Sequence, residues 1–400
     1  MPGRVAPDGN PFALAVETQR VDAGFSGRFL LGGSLALGVR TAASGLFQRH
    51  RYGDGYERDR HSTLLAEVTL GGGRPPFEWM VGTAVQREDY HNTDVPGFDY
   101  AFATPAVFAQ ATVTPLPAVS ATASGRCDAH SEYGTICSPR LSALWRATPA
   151  LSTRLSLGGG FYAPTPFTEE TEGASLWPFQ WAPGTLQAER VRSASLDVSY
   201  KRGPLEVTAT GFASDLDHAV GLRQVVVNNP GGGSGVAWRF VNVAGPTRTR
   251  GVEFLGVLEK EPISLTTYYA YVLATETDAT SGVRRDVPLT PRHAAGFDLA
   301  FEEEETGTRV AVEAFYVGRQ ALENDPYAVV SRPYTMIGLL VAHRFGRATV
   351  FVNCENAGGI RQTSYVPLLL PARAGSARWT TDEWAPLDGR VVNGGVRFPL

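Results

Sequence analysis

The sequence predicts an all-β fold, a membrane-spanning antiparallel barrel, on three observations. Apolar and polar residues alternate over segments of about ten residues, roughly twice the length of an ordinary soluble strand. In LSTRLSLGGGFY the even spacing puts Leu151, Thr153, Leu155, Leu157, Gly159 and Phe161 on one face, with Ser152, Arg154, Ser156 and Gly158 on the other. The connections between such segments alternate between short and long, as they do between the two rims of a membrane barrel. No apolar run approaches twenty residues, which excludes a helical span. A barrel strand turns only every second residue toward lipid, so the same absence leaves a barrel open.

Composition narrows the classes further. The 400 residues are 43% apolar and only 19% charged, with net charge -4. Without a basic excess, nucleic acid is not an expected partner. The long Ala/Leu/Glu/Lys periodicity of α/β enzymes is scarce.

Taken in order, Phe12 to about Arg20 reads as a first strand, Asp22–Gly27 as a turn, and Arg28 to about His50 as a long strand carrying Leu35, Leu37 and Val39 on one face. Asp54-Gly55 lies in a loop. Glu57–Leu70 is the next strand, Gly71–Pro76 a tight turn, and Phe77–Tyr90 a further alternating strand. A polar and aromatic loop follows. Val107–Val113 turns at Pro115–Pro117 into Val119–Tyr133, and Ile136–Trp145 turns at Pro149 into Leu151–Tyr162. The connection from Pro164 to about Gln187 is long. Val191–Tyr200 turns at Lys201–Pro204 into Leu205–Asp217, and a Gly/Asn-rich loop leads to Thr249–Leu258. Then come Ile263–Thr275, His293–Phe301, Arg309–Gly318, Tyr334–Phe345, Ala348–Asn353 and, after another long loop, Gly389–Phe398. Val310, Val312, Ala314 and Tyr316 alternate with Arg309 and Glu313; Val392, Gly394, Val396 and Phe398 oppose Asn393 and Arg397. Tyr268, Tyr269, Tyr271 and Tyr334 are candidates for aromatic girdles.

This makes about seventeen strands, an odd number. Closed single-chain barrels of bacteria have an even number. The expectation is therefore a barrel lacking strands before Met1. MPGRVAPDGNPF also lacks the apolar core of a signal peptide.

Candidate sites are few. The seven histidines show no ligand spacing, and Gly158–Gly160 and Gly231–Gly233 are followed by neither a helix nor a lysine, so neither is a phosphate loop. No catalytic residue, metal site or cofactor is expected. Glu302–Glu305 reads as a solvated turn. The loop after Pro164 is the richest, with Trp177, Phe179 and Trp181 beside Glu169, Glu170 and Glu172, a composition suited to a sugar, heme-like or chelate ligand; the alternative is an ordinary packed loop. Arg154, Arg192, Arg309, Arg361 and Arg397 are candidates for the lumen wall. Cys127 and Cys137 sit near the ends of one short segment and can face each other across a hairpin as a disulfide; the alternative is two free thiols. Cys354 reads as a buried or outward small residue.

From Ser138 to the end, the ordered landmarks resemble the C-terminal part of a TonB-dependent outer-membrane receptor. They are SPRLSALWRATPALSTRLSLGGGFYAPTPFTE with Gly160, Phe161, Ala163 and Pro164, then ERVRSASLDVSYKRGPLEVTATGF, and NVAGPTRTRGVEF with Asn242 and Gly251–Glu253. VPLTPRHAAGF, FVNCENAGGIRQTSYVPL and the closing GRVVNGGVRF follow. Cys354-Glu355-Asn356 departs from the family's usual residues, and the chain ends Phe398-Pro399-Leu400 where members usually end on an aromatic. The resemblance implies a barrel of twenty-two strands, an N-terminal plug inside it, and a peptide that engages TonB. Residues 1–400 then correspond to the C-terminal part of the barrel, with the plug and about five strands absent. It implies residence in the cell outer membrane, its lipid bilayer as surroundings, and TonB-coupled uptake of a small ligand such as a siderophore-iron chelate or cobalamin, with TonB reached only through the missing plug. The alternative function is a passive porin-like or adhesin-like barrel.

Overall fold

The computed structural model describes residues 4–5, 11–12, 14–53, 55–168, 171, 176, 179–228, 234–323, 325–368 and 383–398. Seventeen long strands make the wall: β1 Leu14–Gly32, β2 Leu35–Tyr52, β3 Gly55–Arg74, β4 Phe77–Asn92, β5 Tyr100–Leu116, β6 Val119–His130, β7 Gly134–Arg146, β8 Leu151–Tyr162, β9 Glu189–Arg202, β10 Leu205–Asp217, β11 Thr247–Lys260, β12 Ile263–Thr277, β13 His293–Glu303, β14 Thr308–Val317, β15 Tyr334–Phe345, β16 Ala348–Glu355 and β17 Val391–Arg397. Each pairs antiparallel with the next in sequence, so the chain is a pure meander. β1 and β17 are the two end strands of the meander, and among the described residues no residue-by-residue ladder joins them. They are the barest of the wall, β1 being exposed at every position but Gly27.

The two rims differ as the loop lengths require. Every odd-numbered strand before β17 ends in a turn of two to four residues, whereas the loops of 163–188, 218–246 and 356–390 all leave the opposite rim. Three short strands there, Phe179–Gln180, Val220–Asn228 and Ser234–Asn242, form a separate small sheet over that rim. The wall is also taller on one side. Strands β1–β4 have 16 to 20 residues, about 53 to 66 Å of extended chain, against the roughly 25 Å apolar band of a membrane barrel. Strands β13–β16 have 8 to 12, little more than the band itself.

Pairing fixes which side chains share a face, because residues directly opposite across an antiparallel ladder point the same way. Val312 lies opposite Leu299 and Leu339, and Val352 opposite Val341 and Gly394. This outward set is open to the surroundings: Val341 and Val352 are each 52% exposed and Val392 62%. No dry core lies beneath these residues and no helix covers them; outside the strands, the described residues hold only short 3-10 turns. Burial of apolar groups is concentrated instead at the long-loop rim, in a cluster built on Phe98, Tyr100, Phe102, Trp181 and Phe240.

The inner face repeats one device. Gly82 lies opposite Phe108, Gly251 opposite Phe212, Gly296 opposite Tyr268 and Gly395 opposite Phe351. In each pair the ring lies across the glycine, so that a Cβ there would come within 2.4 to 3.0 Å of it. The ring covers the backbone that the glycine leaves bare, as in aromatic rescue of strand glycines, and lies flat against the wall.

The first turn differs from the sequence expectation. β1 runs unbroken through Asp22–Gly27, and the chain reverses at Gly33-Ser34, where Gly32 and Gly33 take φ of 104° and 61°. Asp22 and Gly24 look like turn residues, but Arg20 and Asp22 share one strand face and form an ion pair at 2.8 Å, a contact that an extended chain permits. Tyr268 and Tyr334 face inward and only Tyr269 and Tyr271 outward, because consecutive residues of one strand cannot share a face.

Candidate ligand-binding site

At the long-loop end of the tall strands, their inner faces and described residues of the loop after β8 border a cavity of about 870 Å³, within the usual range for a small-molecule site. The ladder assembles it. His50 and Tyr52 come from β2, Glu57, Asp59 and His61 from β3, Gln86, Glu88 and Tyr90 from β4, Phe102 and Thr104 from β5, Asp128 and His130 from β6, and Tyr162, Phe167 and Leu176 from β8 and the loop after it. In every strand these alternate residues point inward because register makes them one face. His50 is opposite Glu57, His61 opposite Tyr90, and Glu88 opposite Phe102.

Charged partners tie the wall together. His50 Nε2 lies 3.0 Å from Asp59 Oδ2, and His61 Nε2 2.9 Å from Glu88 Oε1. The Tyr100 hydroxyl donates to the same Glu88 oxygen at 2.7 Å, and Arg126 donates to Asp128 at 2.8 Å. His130 Nδ1 accepts from the backbone N–H groups of Glu132 and Tyr133, which puts its ring proton on Nε2. Hydrogen bonds with an ionised partner are roughly twice as strong as neutral ones, so the wall of the cavity is preorganised. Beside it runs an aromatic ladder: Tyr90 stacks on Tyr100 at 5.7 Å and Tyr100 on Phe102 at 4.6 Å, while Phe167 meets Tyr90 edge-on at 4.7 Å.

The loop is anchored from the wall. The Leu176 N–H donates to the nearly buried Glu57 carboxylate at 3.2 Å, across 119 residues of sequence. The Tyr133 hydroxyl donates to the Pro164 carbonyl at 2.8 Å. On the far side, Arg58 grips Asp94 in the 93–99 connection at 3.0 Å, and that hydrogen bond holds the Asp94 carboxyl below the usual carboxylate range.

Of the expected loop residues, Trp177 lies outside the described residues. Phe179 and Trp181 are described, and neither lines the cavity. Trp181 is 9% exposed, edge-on to Phe240 at 5.3 Å, and Phe179 packs against the same cluster. The loop spends these rings on its own core. The residues that do line the cavity were missed because their signal is a matter of register: His50, His61 and His130 have no spacing in sequence, yet the successive ladders from β2 to β6 bring them to one face.

Cys127 and Cys137 are directly opposite on β6 and β7, with Cα atoms 4.1 Å apart and the sulfurs bonded. Both project outward, away from the cavity. Cys354 is unbonded and also outward, opposite Val392. Of the arginines expected to line the lumen, Arg154, Arg309 and Arg397 face inward by pairing, but Arg192 faces outward and binds Asp217 at 2.8 Å. It shares its face with Leu196 and Val198, a parity already present in the sequence. Arg361 belongs to the loop after β16, against Gly389. Among the described residues no group of three or more His, Cys, Asp or Glu side chains has metal-site geometry.

Comparison with known proteins gives the same fold. No curated protein sequence matches the chain. Among solved structures, it is similar to the ferric enterobactin receptor PfeA of Pseudomonas aeruginosa (TM-score 0.72, 14% identity, covering 97% of this chain and 62% of that one). It is also similar to the siderophore receptor PirA of Acinetobacter baumannii (0.71, 14%, 98% and 63%) and to the FrpB iron transporter of Neisseria meningitidis (0.70, 13%, 96% and 63%). At such identities the likeness is one of fold, and the chain spans less than two thirds of the length of these receptors. The family described as "TonB dependent receptor-like, beta-barrel", whose members are outer-membrane proteins, matches residues 5–357. With that match running through nearly the whole meander, this chain belongs to the TonB-dependent receptor-like β-barrel family.

Proposed function

We propose that the chain forms the barrel of an outer-membrane receptor that captures a scarce, chelated nutrient, a ferric siderophore or a cobalamin-like compound, for uptake driven by TonB. The observation that carries this is the cavity at the long-loop rim, polar and aromatic in lining and set at the mouth of a wall shared with siderophore receptors. The long loops face the cell exterior and the short turns the periplasm. Outward side chains contact lipid. Transport is conformational, and no bond is made or broken. Force from TonB would pass through a plug held against the inner wall, which the flattened aromatic rings leave unobstructed.

The test is uptake of radioiron by a strain stripped of its own siderophore receptors and carrying this gene with its natural upstream DNA. The protein is expected in the outer-membrane fraction, and uptake is expected to stop when TonB is deleted. Uptake that continues undiminished without TonB, or recovery of folded protein only in the soluble fraction, would refute the reading.

A further inference from the structure

We infer that the cavity selects a cationic or neutral chelate over a polyanionic one. This deepens the receptor reading and rests on it. Among the described residues, four carboxylates, Glu57, Asp59, Glu88 and Asp128, line the cavity, and no lysine or arginine does. Arg126 offsets Asp128 from the side. Asp59 and Glu88 are held by imidazoles, His50 and His61, which leave the pair negative whenever the ring is neutral.

The arginines of these strands are abundant, but strand alternation sends them the other way. Arg49, Arg51, Arg58, Arg60 and Arg87 all stand on the outward face. There Arg49 lies over the Tyr56 ring and Arg60 over Phe47, while Arg58 and Arg87 bind Asp94 and Asp89. At the level of the cavity the arginines of β2 to β4 thus stand outward and the lining carboxylates inward, with Asp89 outward beside Arg87 and Arg126 of β6 inward beside Asp128.

The aromatic lining acts in the same direction for an independent reason. Tyr90, Phe102, Tyr162 and Phe167 border the space, and the face of an aromatic ring attracts cations and repels anions. A low-dielectric recess amplifies both effects. A chelate carrying an ammonium group meets carboxylates and ring faces. A tris-catecholate complex, with its several negative charges, meets the same groups and gains no arginine.

The experiment uses the full 400-residue chain folded in detergent micelles, with binding followed by tryptophan quenching. Three ferric chelates serve as probes: a linear trihydroxamate bearing a free amine, a neutral cyclic trihydroxamate and a tris-catecholate. The amine-bearing chelate is expected to bind at least about tenfold more tightly than the tris-catecholate, with the preference shrinking as salt is raised. The double variant D59N/E88Q should bring the two within about threefold. Q86R, which puts a positive charge on a neutral lining position, should reverse the order; it keeps the proposal testable should the double variant fail to show the heat-modifiable gel mobility of a folded barrel. Tightest binding of the tris-catecholate by the parent overturns the inference and leaves the receptor reading standing. Binding of none of the three overturns both.

Discussion

Val312→Arg is the sharpest test of which face meets lipid. Val312 is the fifth residue of the ten in β14. Ten residues rise about 33 Å, and tilted by about 40° they span roughly the 25 Å apolar band, so Val312 lies near its midplane. Its direct neighbours, Leu299 and Leu339, are also outward, so a guanidinium there meets hydrocarbon on every side. Arginine at the midplane of a barrel's lipid face costs about 2 to 4 kcal/mol, or roughly 30- to 1,000-fold in the folding equilibrium. The matched control is Thr266→Arg, which faces inward between Val257 and Asp298; with a carboxylate opposite, it is expected within about 0.5 kcal/mol of the parent. The assay is urea-driven unfolding from lipid vesicles, read by tryptophan fluorescence and by heat-modifiable mobility. An unchanged Val312→Arg beside a Thr266→Arg that loses 2 kcal/mol or more would mean that the faces are assigned backwards.

Other outcomes follow from single contacts. Glu57→Gln is expected to loosen the 163–188 loop, because the carboxylate that receives the Leu176 N–H is weakened; the loss should be about 1 to 3 kcal/mol of local stability, visible as faster protease cleavage in that loop with the barrel intact. Gly296→Val would drive a Cβ to 2.4 Å from the Tyr268 ring and 3.0 Å from the Ala314 carbonyl, so a loss of about 1 to 3 kcal/mol is expected; replacing Tyr268 with Ala in the same chain should recover part of it. With Cys127 and Cys137 bonded, unfolded exported protein should change mobility on reduction and show no free thiol at either position by mass spectrometry. Asp94, whose carboxyl the Arg58 hydrogen bond holds below its ordinary range, contributes its clasp above the ordinary carboxylate pKa near 4 and loses it only as pH falls through the lower folded value. An NMR titration of the 93–99 connection should show it still clasped at pH 5; release there would contradict the assignment.

The sequence by itself determined the fold class, close to the right number of strands, the two unequal rims, and the outward stripes on β14 and β17. Those features are local: strand side chains alternate with period two, and hairpin turns need few residues. It also placed Cys127 and Cys137 within reach of each other, since one short hairpin separates them. Only the tertiary structure decided the site. His50, His61 and His130 come to border one space because the registers of the four ladders from β2 to β6 set them on one inner face, and no spacing in a single chain segment encodes that. The first turn was misplaced because the glycine and aspartate near Asp22 suit a turn in isolation, whereas pairing with β2 along the whole of β1 outweighs that preference. For Trp181 the sequence left a ligand contact and an ordinary packed loop both open; the structure buries it in the rim cluster, because a loop reaching over the rim must bury apolar surface of its own. Composition named the residues available; the registers of neighbouring strands, added up from β2 to β8, decided which of them face the same space.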